Sequence, residues 1–214
     1  MRARVNRSVN LHELAVSQVK ASLIRAATAS ESIVVREFST CPKANRFLGL
    51  SPCEPDGFVR IIEMRGNQTR EHLFYLEVDR STEPLAVLES KAQRYSYHRY
   101  SGQFAEQCPR SKAIDCSGSF RVMFVLHSNE RRNNFIEVLL RMKPQILTQV
   151  YLCTMPEVLT NPLGAIWVRP LDYRDAATGT VFDRDYCTHR QIYGRQLARD
   201  RIVESRIEKR TLFQ

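Results

Sequence analysis

The stretch Leu73-Phe74-Tyr75-Leu76-Glu77-Val78-Asp79 reads as a strand that ends against its own pattern. Side chains alternate across a strand, so Phe74, Leu76 and Val78 share one face, which reads as core. Glu77 and Asp79 share the other face, roughly 7 Å apart along the chain direction. An apolar strand that gives two same-face positions to acids breaks its local rule, and such breaks concentrate at functional sites. A third carboxylate, Asp56, follows Pro55 upstream, and an amine, Lys91, follows on the next helix. Clustered carboxylates suit a hard cation such as Mg²⁺ or Mn²⁺, and a neighbouring lysine offsets phosphate charge. The expected chemistry is metal-dependent work on a phosphodiester.

Working outward, Phe58 to Met64 is a strand and Arg65-Gly66-Asn67-Gln68 a turn, so His72 to Asp79 is the returning arm of a hairpin. Residues 39–57, with Cys41-Pro42, Ser51-Pro52 and Pro55-Asp56-Gly57, read as loop. Before them, Ser32 to Phe38 is a short Val- and Ile-rich strand. Asn10 to Ala29 is a helix with Asn10 and Glu13 at capping-box spacing and an apolar stripe through Leu11, Leu14, Val16, Val19 and Leu23. After the hairpin, Ser81-Thr82-Glu83-Pro84 opens a helix whose buried stripe is Leu85, Leu88, Ala92 and Tyr95. Ser101 to Ser119 is a polar loop. Phe120 to Leu126 is a strand, Asn129 to Met142 a helix, Gln149 to Thr154 a strand and Pro156 to Leu159 a short helix. Ala165 to Val168 is a last short strand carrying the single tryptophan, Trp167. The order predicts an α/β fold with a mixed central sheet flanked by helices.

The chain has 214 residues, 43% hydrophobic and 26% charged, enough for one α/β domain with a sizeable core. No run approaches the ~18 apolar residues of a membrane span. The basic start Met1-Arg2-Ala3-Arg4 leads into an amphipathic pattern without a signal core, so no membrane is expected and a cytoplasmic location is the default. Lys and Arg number 32 against 23 Asp and Glu, a net charge of +9 that favours a polyanionic partner. Cys41, Cys53, Cys108, Cys116, Cys153 and Cys187 form no CxxC, and His12, His72, His98, His127 and His189 form no zinc spacing, so reduced thiols and no zinc site are expected. From Asp172 onward arginines crowd a segment sparse in apolar residues, which reads as an exposed helix or a disordered basic arm.

The succession of helix, strand and hairpin, with PD before it and E-x-D on its second strand, resembles the restriction-endonuclease-like PD-(D/E)XK core. More specifically, the chain is similar to the replication-relaxation family of plasmid and mobile-element proteins. LHELAVSQVKASL at 11–23, EPDGF at 54–58, FYLEVDRST at 74–82, KAQRYSYH at 91–98, RVMFVLHSNERRNN at 121–134 and PLGAIWVRP at 162–170 carry the likeness, across roughly residues 10 to 171. It implies an N-terminal arm at 1–9, a nuclease-like domain over 10–171 and a basic C-terminal tail over 172–214. Carried over residue by residue, Asp56 is the aspartate of PD, and Glu77 is the acidic ligand with the Val78 carbonyl beside it. Asp79 stands where the motif has lysine, and Lys91 supplies the missing cation. Asp56, Glu77 and Asp79 would hold Mg²⁺ or Mn²⁺, and the product would be a nick or break in DNA. Arg80, Tyr95, Arg190, Arg195 and Arg199 would meet the nucleic acid. The family places a winged-helix DNA-binding domain ahead of this half. Because the chain starts near the first helix of the second half, docking would fall to the basic tail or to a separately encoded winged-helix protein.

Each residue also has an ordinary reading. Asp79-Arg80-Ser81-Thr82 fits the start of a helix, with Asp79 accepting from backbone amides. Pro55-Asp56-Gly57 is a common turn. A lone helical lysine is usually solvated, Tyr95 reads as half-buried, and Trp167 as core. The alternative to a nicking enzyme is a catalytically silent DNA-binding or replication-partner protein on the same fold.

Overall fold

Strands β1 (Ile33–Thr40), β2 (Gly57–Arg65) and β3 (Gln68–Val78) form an antiparallel meander. The computed structural model describes residues 2–40, 54–101, 104, 115–116, 120–178, 207 and 209–213. The β2–β3 hairpin closes with Arg65 opposite Gln68, and Gly66 adopts φ 56° in the two-residue turn between them, a conformation that suits glycine. Gly57, at the other end of β2, leaves room for the neighbouring chain: a Cβ there would lie 3.2 Å from the Phe38 ring and 3.4 Å from the Ser39 carbonyl oxygen.

Helix α2 (Leu85–Tyr100) carries the chain across the sheet, so that β5 (Arg121–Leu126) lies parallel to β3. Helix α3 (Asn129–Arg141) does the same for β6 (Val150–Thr154). The sheet order is β1-β2-β3-β5-β6, and the two-residue β4 (Asp115–Cys116) adds to β3 alongside Arg70 and Glu71. β4 falls within the segment expected to be all loop. β5 reads Val-Met-Phe-Val-Leu without alternation because it is central and parallel, with apolar layers on both faces.

One layer is helix α1 (Arg2–Thr28), which sets Ala15, Val16, Val19 and Leu23 on Val59, Ile61, Phe74, Leu76 and Val78. Short helix α4 (Met155–Thr160) packs beside it, the Ser22 hydroxyl donating to the Val158 carbonyl at 2.8 Å. The opposite layer is α2 and α3, which cover Phe58, Leu73, Tyr75, Val122 and Phe124. Both faces of β3 are therefore core.

Other boundaries also differ from the sequence reading. The first helix begins at Arg2, so Asn10 lies inside it and not at its start. Residues 2–9 contain no proline or glycine to halt a helix upstream. Ala165 to Val168 makes no ladder. Val168 forms an isolated bridge to Leu152, and Trp167 one to Arg210. After α5 (Pro170–Thr178), the described part of the basic tail is not exposed: Ile207 and Leu212 are buried, and Arg210 is tied to Asp172 at 2.9 Å. Trp167 is core as expected, its indole N–H donating to the Pro162 carbonyl at 2.9 Å. Cys153 is a buried free thiol, and Cys41, Cys53, Cys108 and Cys187 lie outside the described residues. No helix among the described residues is long and apolar enough to cross a membrane.

Candidate functional site

The C-terminal ends of the parallel strands share one rim of the sheet, and Asp56, Glu77, Asp79 and Lys91 all reach it. Glu77 sits one residue before the end of β3 and points under α2, where it is 1% exposed. Its Oε2 lies 2.9 Å from the Lys91 ammonium, and its Oε1 accepts from the Tyr95 hydroxyl at 2.6 Å. Lys91 and Tyr95 are four residues apart, so one face of α2 presents both to the same carboxylate. Tyr95 is fixed in turn by stacking on Tyr75, ring centroids 5.4 Å apart. The Lys91 position that bordered the buried stripe in the sequence thus faces inward.

Asp56 lies just outside β2, beyond the last ladder pair, Gly57 opposite Leu76. Its Oδ2 accepts from the Val78 N–H at 2.7 Å, and its Oδ1 lies 2.7 Å from His12 Nε2. His12, on α1, was not among the expected site residues. It stands three residues before Ala15 and four before Val16, so it continues the buried stripe of α1 out over the strand end.

Asp79 takes a different partner. The Arg131 guanidinium grips it with Nε to Oδ2 at 2.7 Å and Nη2 to Oδ1 at 3.3 Å. The Ser81 N–H donates to Oδ1 at 3.1 Å, and Ser81 itself holds φ 60°, uncommon for a non-glycine residue. Asp79 accepts from a backbone amide as read, but not at a helix start: α2 begins at Leu85 with Pro84 as its N-cap. Arg131 was missed by the sequence reading. It lies in the first turn of α3, whose N-cap Ser128 accepts from the Arg131 N–H at 3.2 Å. Because β5 runs parallel to β3, the helix after β5 starts beside the end of β3, and that placement is the signal that could have found it.

The rim opens into a cleft of about 260 Å³ lined by His12, Asp56, Val78, Asp79, Arg80, Thr82, Glu83 and Lys91. Burial pushes the Glu77 carboxyl up to about 7, against the pull of the Lys91 ammonium and the Tyr95 hydroxyl. Burial also disfavours the Lys91 ammonium, but Glu77, Asp56 and Glu83 outweigh it and raise its pKa above the ordinary lysine value. The hydrogen bond to Asp56 raises His12 above its ordinary value in spite of burial.

These groups do not fit a divalent cation as they stand. All six carboxylate oxygens of Asp56, Glu77 and Asp79 already meet a donor from the protein. The three acids face His12, Lys91 and Arg131, so a cation would have to displace charge partners to enter. Among the described residues, no three His, Cys, Asp or Glu side chains are grouped to hold a metal ion. Asp79 is tied to Arg131 of α3, whereas Asp56 and Glu77 meet His12 and Lys91. Of the residues expected to meet nucleic acid, Arg80 lines the cleft, whereas Tyr95 is buried against Glu77. Arg190, Arg195 and Arg199 lie outside the described residues.

No curated protein and no solved structure matches this chain. The sequence model described as replication-relaxation matches residues 1–114, which takes in α1, the whole meander, Asp56, Glu77, Asp79 and Lys91. That is more than half of the 214 residues, and the chain belongs to the replication-relaxation family.

Proposed function

We propose that this chain engages DNA during replication of a plasmid or mobile element, as a nuclease-like core whose acid cluster serves as a charge-matched scaffold and not as a metal centre. The family supports the replication setting. The meander, the crossover helix and the strand added parallel to β3 follow the order expected of a PD-(D/E)XK core, and the net charge of +9 favours a polyanion. The observation that carries the reading is the occupancy of all six carboxylate oxygens by protein partners, with His12, Lys91 and Arg131 set against the three acids. Calorimetric titration with Mg²⁺ and Mn²⁺ should give no heat attributable to the site. Supercoiled plasmid should be relaxed no faster by the wild-type chain than by Glu77→Ala. Metal-dependent nicking that Glu77→Ala abolishes would overturn the reading.

That outcome would restore a second one, a metal-dependent DNA-nicking enzyme, which a specific observation favours. Lys91 comes from a helix and still places its ammonium 2.9 Å from Glu77, as a lysine displaced from the strand would have to. The site would then have to open, with Asp56 and Glu77 released from His12 and Lys91.

A further inference from the structure

Helix α2 has two roles on its two sides. Its inner side gives Lys91 and Tyr95 to Glu77. Its outer side carries Tyr97 and Tyr100, which are 72% and 70% exposed. The next most exposed large apolar side chain among the described residues is Leu14 at 53%. Burying aromatic area is strongly favourable, so two adjacent rings left this open are unusual on a surface with no use for them.

Lys91, Arg94, Tyr97 and Tyr100 follow one another at steps of three residues, so they form a single slanted row on the helix, each roughly 5–6 Å from the next at Cβ. The row starts at the cleft, where Lys91 lines the wall, and ends at the exposed tyrosines. Its nine residue steps climb roughly 14 Å along the helix axis while the row winds about half a turn around the helix. From Ser90 to Ser101 the chain contains no aspartate or glutamate, while Lys91, Arg94 and Arg99 are cationic. A cationic stretch followed by open aromatic rings matches the charge of a phosphate backbone and the faces of its bases. Duplex DNA hides those faces in its stack, and a single strand offers them.

We propose that the row Arg94–Tyr97–Tyr100, leading away from the Lys91–Glu77 pair, is a track for single-stranded DNA, with Arg94 beside the backbone and Tyr97 and Tyr100 each stacked on a base. The proposal rests on the DNA-engaging reading above and adds where the strand lies and which form of DNA is preferred. It does not depend on whether the cleft holds a metal.

Anisotropy with labelled oligothymidylate, and with a labelled duplex of the same length, tests it on the full chain. The wild-type chain should bind the single strand. The double variant Tyr97→Ala/Tyr100→Ala should lose at least about tenfold in that affinity while its duplex affinity stays within about twofold. Both rings are exposed, so the variant should melt with the wild type. Tyr97→Phe/Tyr100→Phe keeps the rings and should keep the single-strand affinity. Unchanged oligothymidylate binding by the alanine variant, as expected if this face serves a protein partner, would overturn the track. So would an equal loss for both DNAs. A wild-type chain that binds duplex but not the single strand would overturn the track and leave the DNA reading standing. One that binds neither would overturn that reading and the track with it.

Discussion

Glu77 and Asp79 stand two residues apart on one rim, each with a side chain 1% exposed, yet they are held by different chemistry. Asp79 meets the planar fork of Arg131 and a backbone N–H, so both oxygens are taken by donors fixed in direction. Glu77 meets the point charge of Lys91 and one neutral hydroxyl. Burial pushes the carboxyl of Glu77 up to about 7. The fork and the backbone amide fix Asp79 in direction at both oxygens, whereas Glu77, matched by an amine and a phenol, stays within reach of protonation near neutral pH. The first is a structural clasp between the end of β3 and the start of α3, and the second is the adjustable element of the cleft.

The largest effect should come from breaking the clasp. Arg131→Ala leaves Asp79 buried against Ser81 without its counter-charge, and removing one partner of a buried pair costs about 3–5 kcal/mol. Chemical denaturation should show that loss. Arg131→Lys, which keeps the charge and loses the fork, should recover only part of it. If alanine costs less than about 1 kcal/mol, as for an exposed pair, the two acids are held alike and the contrast fails.

Glu77 should show itself through pH. Its folded pKa, about 7, lies above the ordinary 4.5, so its contribution to stability is fully present below about pH 4.5 and is lost as the pH rises through about 7. His12, also raised, adds a loss above its ordinary 6.5. Burial lowers His72, despite its bond to Glu63, and that group works the other way in the same window. The clean readout is therefore the difference between Glu77→Gln and the wild type. Glutamine imitates the protonated acid, so the variant should gain on the wild type by on the order of 3 kcal/mol as the pH rises from 4.5 past 7. A variant that is destabilised at pH 8 would show that the Lys91 pair outweighs burial.

Much of this arrangement was legible in the sequence. Glu77 and Asp79 broke the apolar run of β3, Asp56 followed a proline at the head of the hairpin, and Lys91 sat on the border of a helical stripe. The periodicities of β2, β3, α2 and α3 gave the order of elements because each is long enough to repeat. What was hidden depends on layers meeting. No local signal says that α1 overhangs the strand end with His12, or that the first turn of α3 brings Arg131 beside Asp79. Both follow from which strands are neighbours, a non-local fact. The burial of Glu77 and Asp79 was hidden for the same reason. Alternation gives two faces to a strand but does not say that helices cover both. The helix start was misplaced because Asn10 and Glu13 have capping spacing, and nothing after the true start at Arg2 contradicts it.

The smallest predicted effect tests how Glu77 differs from Asp79 without touching any charge. Tyr95→Phe keeps the ring that stacks on Tyr75 and removes only the hydroxyl that donates to Oε1 at 2.6 Å. A hydrogen bond to a charged group contributes about 1.5–3 kcal/mol, and one to a neutral group about 1. If Glu77 is an ion at pH 8 and neutral at pH 5, the cost of the substitution should be about twice as large at the higher pH. The Tyr95 bond also pulls the Glu77 carboxyl down, so its loss should move the transition of the pH–stability curve upward. The same change at Asp79 has no counterpart, since each of its oxygens keeps a donor from the guanidinium or the backbone. A Tyr95→Phe cost that is flat between pH 5 and pH 8 would mean that Glu77 does not titrate there and is held no more loosely than its neighbour on the rim.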